Sequence, residues 1–299
     1  MNLVIASGKG GTGKTTVAVN LALAVREEVK EVQLLDCDVE EPNAHLFLKP
    51  QFQMSKAIGI PVPAVDRERC SFCGRCAEIC VFNALAVIKD NVLVFAELCH
   101  GCGGCAYLCP EQAIVEVDRA IGVVESGAAY GLKFGHGRLI PGEAMSPPLI
   151  NAVKKMIDPD AITIIDAPPG TSCPVVSAVK GCDFCLLVTE PTPFGLNDLE
   201  LAYRMVDKLG IPAAVVINRC DIGSGAVEEY CRKMKLPVFL QIPWDRELAA
   251  LYARGEPVAL SSPAWRKPFR ELFERVNELR KGGDNRERDY GNQRQGRDR

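Results

Sequence analysis

The stretch Asn2-Leu3-Val4-Ile5-Ala6-Ser7-Gly8-Lys9-Gly10-Gly11-Thr12-Gly13-Lys14-Thr15-Thr16 joins three kinds of local structure in fifteen residues. The apolar run from Asn2 to Ser7 suits a buried strand, residues 8–13 are glycine-rich, and the residues from Gly13 to about Val29 suit a helix. Gly8 to Thr15 fits the pattern G-x-x-x-x-G-K-[ST] in the strand–loop–helix setting that gives the pattern its meaning. Its glycines let backbone N–H groups close around phosphate oxygens, and the helix start adds a favourable dipole. Lys14 meets the β and γ phosphates, and the Thr15 hydroxyl can ligate Mg²⁺. A turn that merely fed a helix would not need Lys14 and Thr15 together.

The rest of the chain fits this beginning. It has 299 residues, 47% apolar, 24% charged and 6% aromatic, an ordinary composition for a soluble protein. At that length about 75% of the unfolded chain's surface can be buried, enough for a large open sheet covered on both faces. The formal charge is −3 and no basic run dominates the body, so nucleic acid is not an expected partner. No stretch reaches the roughly 18 apolar residues of a membrane span, and the N-terminus lacks a charged segment followed by a long apolar core, so a cytoplasmic location is expected. Fourteen cysteines in a reduced cytosol point to metal ligands more than to disulfides.

A second apolar run, Val32 to Leu35, ends in Asp36-Cys37-Asp38, after which the alternation stops until Gly122. It returns with runs at Ala161–Ile165, Phe184–Val188, Ala213–Ile217 and Val238–Ile242, separated by helix-like stretches such as Asp198–Leu209 and Gly225–Lys235. Strands joined by helical crossovers predict an α/β fold with a mostly parallel sheet covered by helices on both faces. From Ala264 to Lys281 the residues Trp265, Phe269, Leu272, Phe273 and Val276 share one helical face, which predicts core packing rather than a membrane-targeting helix. Residues 283–299 hold one aromatic and no large aliphatic side chain, so a disordered polar tail is expected.

Residues 66–118 interrupt the pattern with eight cysteines. An offset of 29 residues superposes Cys70, Cys73, Cys76 and Cys80 on Cys99, Cys102, Cys105 and Cys109, and pairs Gly74 with Gly103, Ala77 with Ala106 and Ala84 with Ala113. This is an internal duplication of C-x2-C-x2-C-x3-C. It resembles the two-cluster bacterial ferredoxin module, in which the fourth cysteine of each run ligates the other cluster. The resemblance implies one [4Fe–4S] cluster on Cys70, Cys73, Cys76 and Cys109, and a second on Cys80, Cys99, Cys102 and Cys105. Val81 stands where the module has proline, a change of loop shape rather than of ligation. Structural zinc more often pairs two C-x2-C knuckles. The segment carries eight acidic and four basic side chains, a balance of −4, which suits a basic redox partner and equally a solvated surface.

Lys9 sets the phosphate loop apart. Lys9-Gly10-Gly11-Thr12-Gly13-Lys14-Thr15-Thr16 resembles the deviant phosphate loop of the MinD/ParA class of ATPases, which also includes Mrp-type iron–sulfur carriers and the nitrogenase iron protein. The resemblance implies a P-loop NTPase holding ATP through residues 8–16. It further implies a homodimer on ATP binding, in which Lys9 reaches the nucleotide of the opposite subunit, much as an arginine finger does. Asp38 matches the switch I aspartate that polarises the attacking water, with Asp36 preceding it near the metal. Asp166, opening Asp166-Ala167-Pro168-Pro169-Gly170, resembles the switch II aspartate that holds Mg²⁺ through water, and Gly170 would sense the γ-phosphate. Asn218 matches an adenine-contacting asparagine, and Pro243 and Asp245 lie in the second adenine-side loop. Cys173 stands seven residues after Asp166, the offset at which the nitrogenase iron protein places a cluster ligand. A third shared cluster is set there against a small buried thiol. Cys182 and Cys185 are expected as small core residues, as are Cys37, Cys220 and Cys231.

The expected organisation is thus an ATPase domain over 1–65 and 119–282, an inserted α+β ferredoxin-like domain over 66–118, and the tail 283–299. The expected cofactors are ATP, Mg²⁺ and two [4Fe–4S] clusters. The expected function is ATP hydrolysis coupled to electron transfer or to delivery of a cluster to a client protein. A positioning or partner-recruiting ATPase switch with the cysteine domain as redox sensor is the alternative.

Overall fold

The computed structural model describes the backbone of residues 1–295 and side chains through Arg280; the expected tail, 283–299, lies outside the residues whose side chains are described. In chain order the elements are β1 (Asn2–Ala6), α1 (Lys14–Val25), β2 (Val32–Asp36), α2 (Ala44–Leu48), β3 (Gln51–Val65), α3 (Arg75–Ile79), β4 (Leu85–Ile88), β5 (Asn91–Val94), α4 (Gly104–Tyr107), β6 (Ile114–Ala129) and β7 (Leu132–Leu139). They continue with α5 (Pro147–Lys154), β8 (Ile162–Asp166), α6 (Cys173–Val179), β9 (Phe184–Thr189), α7 (Pro193–Lys208), β10 (Ala213–Asn218), α8 (Ala226–Met234), β11 (Val238–Ile242), α9 (Arg246–Ala253), α10 (Val258–Ser261) and α11 (Pro263–Gln295).

Nine strands form one sheet in the order β11-β10-β9-β1-β8-β2-β7-β6-β3. The seven from β11 to β7 run parallel. The central strands are buried on both faces, as helical crossovers require, and successive residues split between two cores. Val4, Leu35, Ile165 and Leu187 face one side with Leu149 and Val153 of α5 and Leu199 of α7. Leu3, Ile5, Leu34, Ile164 and Leu186 face the other, against α1 and against Phe269, Leu272, Phe273 and Val276 of α11. The apolar face of α11 therefore covers the sheet, and among the described residues no helix is long and apolar enough to cross a membrane.

The last two strands depart from the parallel pattern. β6 pairs antiparallel with β7 across the two-residue turn Tyr130-Gly131, whose φ angles of 51° and 78° suit a tight hairpin turn. β3 then pairs antiparallel with β6 from Gln51↔Ala128 out to Val65↔Ile114. Sequence periodicity does not reveal these strands: Gly122, Gly127, Gly135 and Gly137 dilute the apolar run, and the first half of β3 is exposed. Gly127 is needed there, because a Cβ would fall 2.0 Å from the Gln51 carbonyl oxygen. β3 and β6 make a ribbon continuous with the main sheet, β6 passing unbroken through residue 118, and residues 66–113 form its far end.

Candidate functional site: a nucleotide cleft and a pair of cysteine-ringed cavities

Parallel strands place their C-terminal ends along one edge of the sheet, where ligands bind in folds of this kind. β1 delivers the loop 7–13 there, β2 delivers Asp36 and Asp38, β8 delivers Asp166, β9 delivers Glu190, and β10 delivers Asn218. Gly13 takes φ 95° at the start of α1, and a Cβ on it would lie 2.6 Å from Asn218 Nδ2. A Cβ on Gly8 would lie 2.2 Å from the Asp198 carbonyl oxygen. Both positions therefore need glycine for the loop to close. Asn218 Nδ2 donates to the Thr12 carbonyl at 2.9 Å and the Gly170 N–H donates to the Ser7 carbonyl at 3.0 Å, which braces the loop from two neighbouring strands.

An open cleft lies over this edge. Gly10, Gly11, Gly13, Lys14, Thr15, Thr16, Asp38, Asn218, Pro243 and Asp245 all line it, so one cavity gathers phosphate-side and base-side candidates. Asp245 also caps α9, its Oδ1 accepting the N–H groups of Glu247 and Leu248. Trp244, between Pro243 and Asp245 in the adenine-side loop, lines the cleft too, as do Glu41, Asn43 and Arg219, which no motif singles out.

Three carboxyl groups crowd around one lysine under this cleft. Asp36 and Asp166 are buried, and Lys14 is 6% exposed. Burial and the Asp166 charge push Asp38 up to about 7, against the pull of Lys14. Burial pushes Asp166 up to about 6, with Lys14 opposing. Asp36 is raised by burial first and by Asp166 next. Such an excess of buried acid over base favours a bound cation. Both Asp166 oxygens are buried without a hydrogen-bond partner. Asp166 and Thr15 thus offer oxygen donors of the kind Mg²⁺ takes. Asp36, expected beside the metal, is occupied otherwise: its oxygens accept the N–H groups of Asp38, Asn43 and Ala44, each at 3.0 Å, and so shape the loop that carries Asp38.

Lys9 lies outside the cleft lining. Its Nζ is 3.6 Å from Glu190 Oε2, while Arg219 Nη1 lies 2.7 Å from Glu190 Oε1. Sequence reasoning misses Glu190, although a carboxylate ending an apolar run, as after β9, is the same signal that marks Asp166.

The far end of the ribbon repeats itself in space. Gly74 and Gly103, paired by the 29-residue offset, start α3 and α4 with φ of 82° and 72°. The Phe72 and Gly101 N–H groups point at Cys70 and Cys99 Sγ, each at 3.4 Å. The Ala84 and Ala113 N–H groups point at Cys80 and Cys109 Sγ, each at 3.3 Å. A small cavity is ringed by Cys70, Cys73, Cys76 and Cys109. A second is ringed by Cys80, Cys99, Cys102 and Cys105. Each takes three cysteines from one run and the last from the other. Among the described residues no three potential ligands converge for a single metal ion. The sulfurs surround a space instead, with backbone N–H groups aimed at them, as a polynuclear cluster requires.

The remaining cysteines are placed differently. Cys185 lies fully buried in β9 with its thiol pushed up by burial, and Cys182, pushed up to about 11, donates to the Ala178 carbonyl. Cys37 and Cys231 are buried as well, and Cys220 is partly so. Cys173 is exposed at the first position of α6, three residues beyond Gly170.

A family model described as the CobQ/CobB/MinD/ParA nucleotide binding domain matches residues 3–258. An uncharacterized protein of Methanocaldococcus jannaschii is 31% identical, over 86% of this chain and 90% of its own. The iron–sulfur cluster carrier protein of Pyrococcus furiosus is 27% identical, over 96% of this chain and 89% of its own. Among solved structures, the septum site-determining protein MinD of Pyrococcus horikoshii, complexed with Mg-ADP, superposes with a TM-score of 0.59 at 20% identity, covering 93% of this chain and 96% of that one.

Proposed function

The chain belongs to the CobQ/CobB/MinD/ParA nucleotide-binding family as a P-loop ATPase of the MinD/ParA type, and on that premise we propose that it couples ATP-driven dimerisation to electron transfer or cluster delivery through two [4Fe–4S] clusters. The observation that carries this reading is the pair of cavities, each ringed by four cysteines drawn three and one from the two runs. A relative named as an iron–sulfur cluster carrier supports it.

In the nucleotide site, the loop amides and Lys14 hold the phosphates, Thr15 and Asp166 hold Mg²⁺, and Asn218 and Pro243 border the base. Asp38, on the loop that Asp36 shapes, orients the attacking water. Lys14 beside it opposes the burial that raises its affinity for protons, and its ionised form can accept a proton from that water. Lys9 leaves Glu190 to meet the nucleotide of the partner subunit, where a cation stabilises charge on the phosphoryl group in transfer. Loss of the γ-phosphate releases the segments around Asp38 and Asp166. Cys70, Cys73, Cys76 and Cys109 would hold one cluster, and Cys80, Cys99, Cys102 and Cys105 the other. When bound, the clusters supply one-electron chemistry at low potential. The ribbon β3–β6 places both quartets on the end of an element joined to the nucleotide edge through β7 and β2.

The test is anaerobic isolation with iron and sulfide counting, followed by electron delivery from the reduced protein to an acceptor with and without ATP. We expect about eight irons per chain, and ATP-accelerated delivery that Lys14→Ala abolishes. Full iron content with no ATP dependence would instead favour a positioning switch that senses redox state.

A further inference from the structure

The loop between β2 and α2 carries Asp38 and is fastened to the sheet at both ends. Asp36 accepts its N–H groups, and the Val39 carbonyl accepts the Leu139 N–H of β7 at 2.8 Å. The loop then runs into α2, whose second residue is His45. The His45 ring stands edge-on to the ring of His136 in β7, with 5.1 Å between centroids. These are two of the three histidines in the chain.

His136 occupies a particular crossing point. Its backbone is in register with Asp36 of β2 on one side and with Glu125 of β6 on the other. Its Nε2 lies 3.1 Å from Glu125 Oε2, and Arg138 Nη2 lies 3.6 Å from the same oxygen. Phe52, at the start of β3, stacks on the His136 ring at 5.1 Å and 25°. A row of contacts therefore runs from the floor of the nucleotide cleft, through Asp36 and α2, to both strands of the cysteine-bearing ribbon.

The row is incompletely satisfied. His136 is 2% exposed, and its Nδ1 and the Nδ1 of His45 are both buried without a hydrogen-bond partner. A buried polar atom left unpaired is unfavourable, because it gives up its bonds to water and gains none. Two such atoms on facing rings mark a contact with something to gain from a second arrangement of α2 against β7, and packed contacts of this kind switch between discrete states rather than deform smoothly.

We infer that His45 and His136 are positioning residues that join the Asp38 loop to the β3–β6 ribbon, so that the nucleotide state and the setting of the two cysteine quartets are read by one another. The inference rests on the reading that the Asp38 loop responds to nucleotide. It adds the route by which that response leaves the ATPase edge.

Hydrogen–deuterium exchange of the intact, cluster-loaded protein tests it, with and without a slowly hydrolysed ATP analogue and Mg²⁺. In the wild type, nucleotide changes exchange in residues 37–48 and also in 51–65 and 114–129. In His45→Ala and His136→Phe the response of the loop persists, while the ribbon's response falls at least about fivefold, the lower end of ordinary coupling strengths. His45→Phe, which restores a ring edge-on to His136, recovers part of it, which loss of α2 packing in general would not. His45 is half-buried on a short helix, so its variant serves if His136→Phe fails to fold. A ribbon response undiminished in the His45 variant overturns the inference, as does a wild type in which 37–48 responds and the ribbon does not. A wild type with no response at 37–48 refutes the switch reading itself, and is distinguished from the other two by that segment.

Discussion

Replacing Asp166 by asparagine should make the nucleotide-free protein more stable while removing its response to Mg²⁺. Asp166 is buried with both oxygens unpartnered, and burial lifts its carboxyl from 3.8 to about 6 even with Lys14 opposing. The native state thus keeps a proton, between those two values, that the unfolded chain has released. Stability falls as pH rises through that window and is flat above it. The shift is about two units at about 1.4 kcal/mol each, so ionised Asp166 destabilises the empty protein by up to about 3 kcal/mol above pH 7. The asparagine side chain does not ionise, so thermal unfolding of Asp166→Asn without nucleotide should show a higher Tm than the wild type at pH 8. The gain should be several degrees, at roughly 2–4 °C per kcal/mol for a chain of this size, and should vanish near pH 4. With ATP, adding Mg²⁺ should stabilise the wild type by preferential binding to the native state and the variant hardly at all. A variant less stable than the wild type at pH 8, an advantage independent of pH, or an undiminished Mg²⁺ shift would refute the assignment of Asp166 as a strained carboxylate awaiting a cation.

Lys14→Ala should abolish nucleotide binding by equilibrium dialysis. Lys9→Ala should leave binding intact while nucleotide-dependent dimerisation, read by light scattering, and hydrolysis are lost. Cys109→Ser should lower iron to about four per chain and remove the cluster of the Cys70 run rather than its own, which spectra of the paired variants Cys109→Ser and Cys73→Ser would reveal as the same residual signal. Cys185→Ala and Cys173→Ser should both leave iron at about eight; a loss with Cys173→Ser would establish a third, shared cluster.

The phosphate loop is legible in the sequence because its geometry is local: glycines, Lys14 and Thr15 act through backbone and side chains a few residues apart, so spacing carries the meaning. The cysteine runs are legible for the same reason, and the 29-residue repeat reappears as paired N–H···S contacts and paired cavities. Six of the seven parallel strands announce themselves as apolar runs because helices bury both their faces, whereas Gly135 and Gly137 dilute β7. The antiparallel edge shows no such run either, since the first half of β3 and the outer part of β6 are open to solvent.

Residue order alone therefore fixes which chemistry the chain carries: a triphosphate loop, acidic strand ends and two sets of thiolates. How those groups are related emerges only on folding. The assembled sheet gives Asp36 three backbone amides to hold, sets Glu190 between Lys9 and Arg219, and stands His45 against His136 where β2, β7 and β6 meet. Each of these depends on strand order and on which buried polar atoms find partners, and neither is written in spacing along the chain.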